Sequence, residues 1–84
     1  EVKSLDQLKE ALSLPVDIIQ LDNMDLTMIR QSVALVNKRV PLEVSGGVKL
    51  DTVREIAATG VNYISIGALT HSAPALDMSL ELVG

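Results

Sequence analysis

The sequence contains no cysteine, no phenylalanine and no tryptophan, and one tyrosine. Without cysteine there is no disulfide framework, and a reducing, cytoplasmic setting is the natural reading. With a single aromatic residue, base stacking on nucleic acid has almost nothing to use. Positive charge is scarce as well. Seven Lys and Arg against eleven Asp and Glu leave a net charge of -4, which argues against a nucleic-acid partner. No apolar run approaches the ~20 residues of a membrane-spanning helix, so no membrane partner is expected. No secretory leader pattern is legible. A Walker or G-x-G-x-x-G signature, a metal-binding His/Cys cluster and a workable Ser-His-Asp order are all missing.

What is present is apolar and regularly spaced. The 84 residues are 48% hydrophobic, enough for one small domain with a marginal core. The chain starts without Met and already inside an element, Glu1-Val2-Lys3, as a segment of a longer chain would. Strand and helix patterns then alternate. Glu1–Lys3 reads as the tail of a strand. Ser4-Leu5-Asp6-Gln7 has capping-box spacing, and Leu5, Leu8, Ala11 and Leu12 mark one helical face ended by Pro15. Asp17–Asp22 is a short apolar strand. Asp25 caps a helix with a Leu26, Ile29, Val33 and Val36 face, and Lys38 and Arg39 are expected in its last turn. Pro41–Ser45 is a strand, Leu50–Thr59 a helix with Gly60 beyond its end, and Tyr63–Ile66 a fourth strand. Pro74 opens a last helix bearing Leu76, Leu80 and Val83.

Such alternation predicts parallel pairing and right-handed crossovers. The expected fold class is α/β, with parallel βα repeats forming about half of a TIM-like (β/α) barrel. Half a barrel leaves unpaired strand edges and, on this expectation, an apolar interior open to water. The chain is therefore expected to fold properly only with the rest of a barrel, or with a second copy.

Active sites of such barrels lie at the C-terminal ends of the strands. Two glycine turns fall there, Ser45-Gly46-Gly47 and Ile66-Gly67-Ala68. Each follows an apolar, β-branched run and leads toward a helical pattern. Glycine lets backbone N–H groups approach an anion closely. One such turn is equally a plain βα turn; two in consecutive units point to a phosphorylated small molecule. Glu1, and Asp22 with Asn23 after it, occupy neighbouring strand ends, and the two acids matter most. They suit Mg²⁺, held directly or through water, or sugar hydroxyls; Asp22 serves equally as a turn residue bonding local backbone. Glu43, mid-strand, fits an interior ion pair or a functional acid. The lone His71 follows the Gly67 turn, where a ring N–H could meet a phosphate.

Taken together, EVKSLDQL, DIIQLDNM, LEVSGGV and ATGVNYISIGALTHSAPALDMSL resemble the quinolinate phosphoribosyltransferase family over essentially the whole chain. The resemblance implies that residues 1–84 are a C-terminal segment of the catalytic barrel, without the N-terminal domain and the first part of the barrel. The family transfers the phosphoribosyl group of PRPP to quinolinate, with Mg²⁺, releasing pyrophosphate and CO₂ and giving nicotinate mononucleotide. By resemblance Glu1 and Asp22 are the catalytic and metal-binding acids. Ser45, Gly46, Gly47, Ile66, Gly67, Ala68 and His71 are the PRPP phosphate contacts. A homodimer or larger assembly is implied. The family's Arg and Lys cluster for quinolinate has no counterpart here, so the 84 residues alone are expected to be inactive. Lys3 stands where the family more often has an acidic or polar residue. Lys49 stands where a capping Ser or Thr is common, leaving that helix to be capped otherwise, or by Asp51. Two other readings share these features: the related pyrophosphorylase-like proteins found with molybdate transport, and a non-catalytic, dissected half barrel that binds phosphate.

Overall fold

A computed structural model describes residues 1–49 and 51–76. The elements are α1 (Leu5–Leu12), β1 (Ile19–Asp22), α2 (Leu26–Val36), β2 (Leu42–Ser45), α3 (Val53–Ala57), β3 (Tyr63–Ile66) and β4 (Leu69–Ser72). They form one sheet in the order β1-β2-β3-β4. β1, β2 and β3 run parallel, and Val2 adds a parallel bridge to Leu21 on the outer side of β1.

The helices begin where local chemistry supplies caps. Ser4 accepts from the Gln7 backbone N–H, and the Gln7 side chain accepts from the Lys3 N–H at 2.6 Å. This differs from the expected capping box by one residue, because Gln7 reaches back past Ser4. Asp25 caps α2 by accepting from the Met28 N–H at 2.8 Å. α2 ends at Val36 with Asn37 left-handed, so Lys38 and Arg39 lie beyond its last turn rather than in it. Arg39 nevertheless folds back and donates to the carbonyls of Val36 and Leu35. α3 is shorter than the Leu50–Thr59 pattern. Neither Lys49 nor Asp51 caps it: Thr52 holds the N-cap position, and its hydroxyl donates to the Lys49 carbonyl instead. Leu50, and Leu80 and Val83 of the expected last helix, lie outside the described residues. Residues 73–76 do turn into helix.

One expectation fails in an instructive way. Residues 69–72 form a strand antiparallel to β3, so Gly67-Ala68 is the turn of a β-hairpin and not a βα turn. Only two residues separate the strands, and Gly67 has φ +62°, the left-handed geometry that tight hairpins need at their first central position. All four residues Leu69–Ser72 pair with β3, and helix begins only at residue 73.

Alternation gives the sheet two unlike faces. Ile19, Leu21, Leu42, Val44 and Ile64 are buried on the side that packs against the helices, with Leu8, Ile29, Val36, Val53 and Ile56. Burying each large side chain contributes roughly 1.5–3 kcal/mol. The other face carries Gln20, Asp22, Glu43, Ser45, Tyr63, Ser65, Thr70 and Ser72, all half-buried or exposed. The expected apolar interior is thus corrected: the uncovered face is polar, because each strand places its apolar residues on the helix side.

Candidate active site at the strand ends

The polar face is ordered in rows by strand register. Glu43 is paired with Gln20 on one side and Tyr63 on the other, and Tyr63 with Ser72. The next row, at the C-terminal ends of the parallel strands, contains Asp22 paired with Ser45, and Ser65 paired with Thr70. The Val2 bridge extends both rows outward, setting Glu1 level with Gln20 and Lys3 level with Asp22. Several neighbours within rows are joined. Gln20 Nε2 donates to Glu43 Oε2 at 2.9 Å, and the Ser65 and Thr70 hydroxyls share a 2.9 Å hydrogen bond. Lys3 Nζ lies 3.8 Å from Asp22 Oδ2. That separation makes an ion pair, beyond hydrogen-bond range.

Above the upper row, two turns close on one another. Asn23, left-handed at φ +54°, follows β1, and Gly46 and Gly47, at φ +79° and +69°, follow β2. The Asn23 N–H donates to the Ser45 carbonyl at 2.9 Å. A Cβ on Gly46 would stand 3.1 Å from Asp22 Oδ1 and 3.3 Å from the Asn23 nitrogen; one on Gly47 would stand 3.2 Å from Asn23 Oδ1. Glycine is therefore required at Gly46 on two counts, backbone conformation and space. Among the described residues neither glycine's N–H donates to another backbone group. These two amides stand beside the half-buried Asp22 carboxylate.

The structure brings Asp22, Ser45, Gly46 and Gly47 together. Glu1 shares their face, exposed and one row lower. Gly67 and Ala68 are exposed at the same end of the sheet, and a Cβ on Gly67 would meet nothing within 4 Å. Ile66 is half-buried and pairs with Leu69, outside the polar rows. His71 pairs with Ile64, which sets it on the opposite face from Asp22 and Ser45. Asn23, a candidate beside Asp22 in the sequence, does lie at the turn, whereas Lys3 was not among the candidates, because only the register of the Val2–Leu21 bridge makes it the neighbour of Asp22. Glu43 is held by an amide, not by a cation. Two larger depressions, of about 440 and 620 Å³, open around Gly60 and Asn62 at the other end of β3. A cavity of about 180 Å³ adjoins Gly47, between Asp25 and Thr52.

Among the described residues no three His, Asp or Glu side chains gather as a metal site. Nor does any helix there have the length and apolarity to cross a membrane.

Parallel βα units with polar rows and glycine turns at the strand ends define the class: a segment of a (β/α)-barrel-like domain with its chemistry at the C-terminal strand ends. The family model for the quinolinate phosphoribosyl transferase C-terminal domain matches residues 1–81, and the chain belongs to that family. It is similar to the chloroplastic nicotinate-nucleotide pyrophosphorylase (carboxylating) of Oryza sativa subsp. japonica, 41% identical over 97 residues, covering 98% of this chain and 26% of that protein. A mitochondrial quinolinate phosphoribosyltransferase (decarboxylating) of Nicotiana tabacum is 40% identical over 97 residues, covering 98% of this chain and 28% of that protein. The crystal structure of a nicotinate-nucleotide pyrophosphorylase from Ehrlichia chaffeensis superposes with a TM-score of 0.75 at 49% identity, over 77% of this chain and 24% of that one. The chain thus spans about a quarter of the length of these relatives.

Proposed function

We propose that the chain forms the strand-end half of the active site of an enzyme that transfers the phosphoribosyl group of PRPP to quinolinate. Pyrophosphate and CO₂ are released, and nicotinate mononucleotide results, a step of NAD biosynthesis. The observation that carries this reading is the packing of the Gly46-Gly47 turn against Asp22 and Asn23, in a chain of this family.

The chemistry follows from the placement. The Gly46 and Gly47 amides and the Ser45 hydroxyl receive the 5′-phosphate, so a non-reacting group fixes the position of the sugar. Asp22 then stands beside the ribose. Its negative charge suits the oxocarbenium character that develops at the anomeric carbon as the pyridine nitrogen attacks and pyrophosphate departs. Ile66, Gly67, Ala68 and His71 are the second phosphate group of residues in this reading, joined from the hairpin end. Of these, Gly67 and Ala68 share the strand-end location, while His71 would have to turn from the helix side.

A magnesium ion fits the donors. Asp22 and Glu1 offer hard carboxylate oxygens, and the glycine at position 46 keeps clear the space beside Asp22 Oδ1. Two carboxylates are enough, because Mg²⁺ takes its other ligands from water and substrate phosphates. Asp22 and Glu1 would hold the ion, which supplies neutralising charge to the phosphate oxygens.

We also read the active form as a homodimer or larger assembly, checked by sedimentation of the full-length protein. The compartment is cytoplasmic on the strength of the cysteine-free composition; the two plant relatives carry organellar names.

The test uses the full-length protein with PRPP, quinolinate and Mg²⁺. Wild type forms nicotinate mononucleotide. Asp22→Asn keeps the size and turn preference of the side chain but removes its charge, so kcat falls at least about a hundredfold while the melting temperature stays close to wild type. Wild-type turnover in Asp22→Asn reduces Asp22 to a turn residue.

A further inference from the structure

We propose that Lys3 receives the leaving pyrophosphate, an inference that rests on the phosphoribosyl-transfer reading above. The two oxygens of Asp22 face different neighbours. Oδ1 lies toward the Gly46 turn, where a Cβ would approach to 3.1 Å; Oδ2 lies 3.8 Å from Lys3 Nζ. Asp22 therefore stands between an amide cradle on β2 and an ammonium group on the segment outside β1. A phosphoribosyl donor has the same linear order: phosphate, ribose, pyrophosphate. With its 5′-phosphate on Gly46 and Gly47 and its ribose at Asp22, the anomeric pyrophosphate extends toward Lys3.

Lys3 is well placed for this. Its main chain is anchored on both sides, through the Lys3 N–H to Gln7 Oε1 and through the Val2 hydrogen bonds to Gln20 and Asp22. Its side chain is 66% exposed, against 26% for Asp22, so the ammonium can swing while the carboxylate stays. Among the described residues Lys3 is the only Lys or Arg on the polar face of the sheet; Lys38 and Arg39 follow α2, and Lys49 follows the Gly47 turn. The ion pair with Asp22 is then the resting position of a group whose working partner is the product. As the pyridine nitrogen bonds to the anomeric carbon, the bond from that carbon to the pyrophosphate oxygen breaks, and its electron pair stays with pyrophosphate. Lys3 keeps its protons and donates hydrogen bonds to the oxygens that gain charge.

Calorimetric titration of the full-length protein tests this with two probes, inorganic pyrophosphate and ribose 5-phosphate. Lys3→Met, conservative at an exposed position, weakens pyrophosphate binding about tenfold, the loss of one charge-assisted contact. Ribose 5-phosphate binding stays within about twofold, since its phosphate lies on the glycine turn, and Lys3→Arg retains most of the pyrophosphate affinity. Unchanged pyrophosphate binding in Lys3→Met, or equal losses for both probes, overturns the proposal. Wild type that makes no nicotinate mononucleotide from PRPP and quinolinate overturns the underlying reading as well. Active wild type with an unaffected Lys3→Met overturns the Lys3 assignment alone.

Discussion

At the scale of single residues, Gly46 and Gly67 look alike in the sequence and differ in the structure. Both have positive φ, so an alanine at either pays about 1–2 kcal/mol of backbone strain. Gly46 is also wedged against Asp22 and Asn23, whereas Gly67 faces open space. Gly46→Ala must push Asp22 aside. It is expected to raise the KM for PRPP about tenfold, the worth of one displaced charge-assisted contact. Gly67→Ala is expected to lower the melting temperature with a much smaller change in KM. Steady-state kinetics and thermal melts of the two variants decide. Equal rises in KM would mean that the two turns are equivalent parts of one cradle, as their spacing suggests.

At the scale of elements, the strands divide their residues by face, and neighbours should differ sharply in cost. Leu21 is fully buried beneath the helices, so Leu21→Ala is expected to cost about 2–5 kcal/mol. Gln20→Ala removes one half-buried hydrogen bond to Glu43 and is expected to cost about 1 kcal/mol. Denaturant midpoints of the full-length protein measure both, and similar losses would contradict the facing assigned to β1. Such periodicity is what made most of the fold legible. Ser4, Asp25, the period of α1 and α2, and the strands ending at Asp22, Ser45 and Ile66 all follow from local rules. The hairpin was harder to read. Gly67-Ala68 suits a βα turn and a β-hairpin equally, and only the pairing of residues 69–72 with β3 decides between them. The same holds at the site. Asp22, Ser45, Gly46 and Gly47 were legible because each sits directly at a strand end. Lys3 was not, because its significance depends on the register of a single bridge at Val2. His71 looked close to the glycine turn along the chain, and the alternation of β4 carries it to the other face.

At the scale of the whole molecule, the described residues hold the Gly46-Gly47 turn, three acids (Glu1, Asp22 and Glu43) and one cation, Lys3, on a common face. A dianionic pyridine needs several cations to hold it. The 84-residue chain by itself is therefore expected to yield no nicotinate mononucleotide from quinolinate and PRPP, even with Mg²⁺. Steady product formation by the purified 84-residue chain would overturn this and would require the quinolinate site to be found among the helices.

The two-faced sheet also bears on how such a protein can be divided. A surface built of hydroxyls, amides and carboxylates is already reconciled with water, so opening it exposes little that is sticky. A cut made on this side of the barrel becomes a seam that water can enter and leave, and two separately made polypeptides could be mixed as a split enzyme. Among the described residues no further strand pairs beside Val2 or beside Leu69–Ser72, and reunion would depend on zipping those edges more than on covering apolar surface such as the exposed Leu69. Low concentrations of urea, which solvates peptide groups, should then release the pieces well before the helices leave the sheet.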